Sequence, residues 1–88
     1  MLELALMVTA GQALAECQRR GLVVASRREL AGKAGSSHWH LHVPGRAGTL
    51  ELSEAQGHVW VKVHPLRDGG WARELARELA ALPAGSPH

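Results

Sequence analysis

The chain has 88 residues, which is enough for one domain around a single core and too short for two. Its formal net charge is +2, far short of the basic excess of a nucleic-acid-binding tail, and eight of its ten basic residues are Arg. A single cysteine excludes an internal disulfide framework and suits a reducing, cytoplasmic setting. The lack of Ile, Phe, Tyr and Asn beside abundant Ala, Gly, Leu and Arg reads as a GC-rich genome, not as function.

Residues 1–8 fit two readings. Leu2, Leu4, Leu6 and Val8 alternate with Glu3, Ala5 and Met7 as in a strand, while Leu2, Leu6 and Ala10 suit a helix. Glu3 and the lack of Lys or Arg give the start the wrong charge for a signal peptide. No apolar run is long enough to cross a bilayer, so no membrane partner is expected.

Thr9 and Gln12 have capping-box spacing and predict a helix from Ala10 to Arg20. Its apolar stripe is Ala10, Ala13, Leu14 and Cys17, which places Cys17 in the core and not at a nucleophilic site. Arg19 and Arg20 complement the helix dipole, and Gly21 is the stop. Leu22 to Ser26 is a short β-branched strand. Arg28 to Ser36 is a Gly-rich surface connector. Its Gly32-Lys33 pair is not a phosphate loop, because Ala34 follows the Lys and no Gly stands five residues before Gly32.

The stretch from Ser37 to His64 organises the chain. Trp39, Leu41 and Val43 alternate with His38, His40 and His42, which puts the three imidazoles on one strand face. Pro44 to Ala47 and Glu54 to Gly57 are turns, each read as a four-residue loop. The register then sets Leu41 against Leu50, Trp39 against Leu52, Leu52 against Val59 and Leu50 against Val61. The predicted core face is Trp39, Leu41, Val43, Leu50, Leu52, Val59, Val61 and Val63. On the other face the predicted rows are His38–Ser53–His58, His40–Glu51–Trp60 and His42–Thr49–Lys62, with His64 beyond.

Asp68 is a natural N-cap for a final helix with Trp71, Leu75, Leu79 and Leu82 on its apolar side and Pro83 at its end. Arg73, Arg77, Glu74 and Glu78 pair on its outer side. The expected architecture is a two-layer α+β domain over residues 1–83. Its order is helix, three- or four-stranded antiparallel meander, helix, with both helices on one sheet face. Residues 84–88 form a tail.

This leaves an open binding face of His38, His40, His42, Glu51, His58, Trp60, Lys62 and His64. Trp60 can stack on an unpaired base, and Lys62 and the imidazoles can meet phosphate, which suits RNA or DNA. Glu51 opposes phosphate, and a lone exposed aromatic equally marks a protein interface or homodimer. His-x-His with Glu51 can also ligate Zn²⁺. Solvated strand histidines outnumber ligands, so the sequence assigns no metal and no cofactor. No Ser-His-Asp order or paired carboxylates point to an enzyme.

Three segments resemble the HicA toxins. They are the capped helix into a Gly-hydrophobic strand (Thr9 to Arg20, then Gly21-Leu22-Val23), the Gly35-Ser36-Ser37-His38 motif, and Val63-His64-Pro65 before the last helix. The resemblance covers about half the chain. It implies a double-stranded-RNA-binding-domain-like fold and a small RNase partnered by a HicB antitoxin. His38 would then be its catalytic residue, working on a ribose hydroxyl without metal.

Overall fold

The computed structural model describes residues 1–28 and 36–84. The Gly32-Lys33 pair, Gly35 of the Gly-Ser-Ser-His motif, most of the 28–36 connector and residues 85–88 lie outside the described residues. The elements are β1 (Leu2–Leu6), α1 (Ala10–Arg19), β2 (Val23–Arg28), β3 (Ser37–His42), β4 (Leu50–Ala55), β5 (His58–Val63) and α2 (Trp71–Ala80). A 3-10 turn, Pro65–Arg67, precedes α2. The class is α+β, with one five-stranded antiparallel sheet in the order β1-β5-β4-β3-β2.

The expected three or four strands become five because the first residues are a strand. Leu2, Leu4 and Leu6 meet Val63, Val61 and Val59, so their period of two completes an apolar face. A strand therefore precedes the first helix. β1 and β2 occupy opposite sheet edges, and α1 carries the chain between them. Four strand spacings are about 19 Å, and the ten residues of α1 span about 15 Å of that.

The α1 ends follow from its sequence. Thr9 Oγ1 accepts from the Gln12 amide at 3.1 Å, and Gln12 Oε1 accepts from the Thr9 amide at 2.9 Å. At the other end Gly21 adopts φ +88°. The Leu22 amide then donates to Cys17 O and the Gly21 amide to Gln18 O, each at 3.0 Å, closing a Schellman motif. The α2 start differs from expectation. Gly70 is the N-cap and has no side-chain cap bond. Asp68 works from two residues upstream, where its Oδ1 accepts from the Arg73 amide at 3.2 Å.

The β3–β4 register is the expected one, with Trp39 opposite Leu52 and Leu41 opposite Leu50. The β4–β5 register is shifted by two residues from expectation. Gln56-Gly57 alone makes the turn, with φ of +53° and +81°, the two left-handed positions of a tight hairpin. Leu52 then meets Val61 rather than Val59. The shorter turn adds two pairs, Ala55–His58 and Glu54–Val59, to the ladder. A shift of two preserves which side chains face the core, so the expected parity survives while the rows change.

β2 starts at Val23, not Leu22, and runs on to Arg28 with a bulge between Val24 and Ser26. Leu22 is buried, whereas Val23 and Val24 are exposed. Val43 falls outside the ladder and packs half-buried against the core. The core proper joins Trp39, Leu41, Leu50, Leu52, Val59, Val61 and Val63 of the sheet to Ala13 and Cys17 of α1 and to Trp71, Leu75 and Leu79 of α2. A buried leucine or valine of this kind contributes about 1.5–3 kcal/mol. Among the described residues no helix is long and apolar enough to cross a membrane.

Candidate functional site

The imidazoles and Trp60 share the sheet face opposite the core. Its rows are Ser53 between His38 and Trp60, with Ala5 beyond, and Glu51 between His40 and Lys62, with Glu3 beyond. Trp60 therefore lies in the row of His38, not in that of His40 as expected, and Lys62 lies in the row of His40. His58 sits opposite Ala55 at the hairpin end and is exposed. His42 is half-buried opposite Val23. His64 lines a cleft of about 310 Å³ with Glu51, Leu66 and Arg67. Its Nδ1 accepts from the Leu66 amide at 3.4 Å. Leu66 itself is 89 % exposed.

Three of the expected residues converge. His38 Nε2 and His40 Nε2 lie 3.1 Å apart. Glu51 Oε1 is 3.2 Å from the first and 3.7 Å from the second. The two rings meet edge to face, with centroids 4.7 Å apart. The two-residue period of β3 places both imidazoles on one side, and the β3–β4 register brings Glu51 beside them.

A hydroxyl holds the far nitrogen of each ring. Ser53 Oγ is 2.8 Å from His38 Nδ1, and Ser26 Oγ is 3.0 Å from His40 Nδ1. Ser53 is buried because its cross-strand neighbours are both rings, His38 and Trp60. Its place beside His38 was readable from the hairpin. Ser26 was not. The bulge after Val24 shifts the β2–β3 pairing by one residue and brings Ser26 opposite His40. No sequence signal marks that bulge.

Among its described side chains the face carries two carboxylates, Glu3 and Glu51, and the ammonium of Lys62, which pairs with Glu3 at 3.9 Å. On the core side, the Arg27 guanidinium lies 5.8 Å from the Trp39 ring centroid. Cys17 is fully buried, and that burial pushes its thiol up to about 11, so it is not a nucleophile near neutral pH. A groove of about 260 Å³ beside α1, lined by Gln12, Ala15, Leu82 and Pro83, holds none of the site histidines.

No family model matches the chain, and no curated protein or solved structure matches it.

Proposed function

We infer that this protein is a small binding module that engages a protein through the sheet face opposite the core, with a second copy of the chain as the partner. The observation that carries this reading is the make-up of the face. Trp60 stands half-exposed among polar groups, and Leu66 stands exposed on the adjoining cleft. Anchors of this kind supply the central contacts of protein interfaces. The charges are mixed in sign and self-complementary, since Glu3 of one copy can meet Lys62 of another about a two-fold axis. The molecule measures 33 × 32 × 21 Å, so its broad side has room for the ~800 Å² per partner of a standard interface. Among the described side chains of the face two carboxylates stand against one ammonium, a balance that disfavours phosphate and sets RNA or DNA behind a protein partner.

Sedimentation velocity tests this reading. The wild-type chain should be dimeric at micromolar concentration and the Trp60→Glu variant monomeric. A wild-type monomer up to about 100 μM would sink self-pairing, a concentration at which even weak specific dimers populate. Saturable quenching of Trp60 fluorescence by a single-stranded oligonucleotide would instead assign the face to nucleic acid.

The imidazole–carboxylate cluster favours a second reading, a HicA-like RNase with His38 as general base or acid. His38, with His40 and Glu51 each within hydrogen-bonding reach of its Nε2, can exchange a proton with a ribose hydroxyl. The His38→Ala variant should then lose metal-independent RNA cleavage while keeping its fold by circular dichroism. Equal cleavage by both proteins removes the reading.

A further inference from the structure

We propose that His38, His40 and Glu51 form a binding site for one Zn²⁺ ion, with one coordination position left open to solvent. The site does not depend on the protein-partner reading. It departs from the sequence reading, which assigned no metal, and it rests on geometry.

Zinc binds nitrogen and oxygen donors at about 2.0–2.1 Å in a tetrahedron, so neighbouring donor atoms stand about 3.3 Å apart. The three donor–donor distances here are 3.1, 3.2 and 3.7 Å. Residues placed only by strand alternation would hold two imidazoles about 6.5–7 Å apart along the backbone, with no reason for their nitrogens to meet. Here both Nε2 atoms and Oε1 turn toward one point.

The two serines supply the support that a ligating imidazole needs. When Ser53 and Ser26 accept from the Nδ1–H groups of His38 and His40, each ring presents its lone pair at Nε2, toward the common point. Outer hydrogen bonds of this sort fix tautomer and ring angle at metal centres. All four side chains, with Glu51 the fifth, stand on the adjacent strands β2, β3 and β4, so the backbone holds the constellation.

Charge gives the same answer. In that tautomer both Nε2 lone pairs and the Glu51 carboxylate face one point, an arrangement that a cation between them stabilises. Side-chain exposures of 17 % for His38, 34 % for His40 and 25 % for Glu51 leave an entry path and an open fourth position. That position suits a water or an oxygen donor of a bound ligand. Among the described residues no other group of three His, Cys, Asp or Glu gathers in this way. A zinc ion here would also take up the Nε2 lone pair of His38 that the RNase reading requires, so the two are mutually exclusive at one site.

The test is competition between the tag-free full chain and a chromophoric zinc chelator. Binding should be one ion per chain, at micromolar Kd or tighter. His40→Gln and Glu51→Gln should each weaken it at least about 10-fold, and Ser53→Ala about 10-fold through loss of ring support. His42→Ala and His64→Ala should leave it unchanged. Zinc should raise the Tm of the wild type and not that of Glu51→Gln, which checks the site by folding alone should a variant prove unstable. Three results overturn the proposal: no one-to-one binding, equal weakening by every histidine variant, or a zinc-dependent Tm that survives in both His40→Gln and Glu51→Gln.

Discussion

At the scale of single residues, two glycines of left-handed backbone, Gly69 and Gly57, stand in opposite surroundings. The Trp71 indole N–H donates to Ala47 O at 2.8 Å, and the Thr49 amide donates to Arg67 O at 2.7 Å, so the loop between β3 and β4 is docked on the entry to α2. Gly69 sits at this junction with φ +62°, and a Cβ there would lie 2.1 Å from Ala47 O and 2.9 Å from Trp71 Nε1. Gly57 has φ +81° with nothing within 4 Å of a Cβ. The two positions share the backbone penalty and differ only in contact. Gly57→Ala should therefore cost about 1 kcal/mol from φ alone. Gly69→Ala should cost about 2 kcal/mol or more, because carbonyl and indole must both move. Urea unfolding at unchanged m-value measures both, and equal costs would refute the contact argument.

At the scale of elements, α1 and α2 are tied by charge at their outer edge. Arg20 bridges Glu16 on its own helix, at 2.9 Å, and Glu78 on α2, while Arg19 also pairs with Glu16. Hydrogen bonds from Arg19 and then Arg20 hold the Glu16 carboxyl below its ordinary value of 4.5. A depressed carboxyl stabilises the fold above its unfolded-state value, and that stability is lost as pH falls through the lower folded-state value. Glu16→Gln should thus destabilise by less than about 1 kcal/mol at neutral pH, as partly exposed pairs do. The gap between variant and wild type should close as pH drops below 4.5. Thermal melts from pH 3 to 7 read this out, and a constant gap would mean packing, not charge, carries the effect.

The same scale shows what the sequence could convey. The capping box at Thr9, the stop at Gly21 and the pairing of Trp39 with Leu52 were legible because each rests on contacts close in sequence or on alternation of side chains. The β4–β5 shift was not, since registers two residues apart bury the same face and only turn geometry at Gln56-Gly57 separates them. The leading segment was ambiguous because its partner, β5, lies some sixty residues away. Half of the candidate site was readable: β3 alone puts His38 and His40 together. The rest, Ser26 beyond a bulge and the turning of both Nε2 atoms toward Glu51, depends on side-chain geometry that residue order does not encode.

At the scale of the whole molecule, one cluster of buried side chains joins both helices to β3, β4 and β5, and Leu2, Leu4 and Leu6 of β1 pack half-buried against it. Its members run from Val8 and Ala10 to Leu79. Among the described side chains of β2 none is buried, and the strand holds to the sheet through β3. A chain of 88 residues has about 4–13 kcal/mol of total stability. Leu52 is fully buried at the centre of the sheet, between Trp39 and Val61. Leu52→Ala should cost about 2–5 kcal/mol, a large share of that total. Because the cluster is continuous, the loss should appear everywhere at once. Trp fluorescence and far-ultraviolet circular dichroism should give coincident urea transitions in wild type and variant, with the variant midpoint lower. If the two probes separate, the helices and the sheet unfold independently, and the edge position of β2 would be the place to look for the first opening.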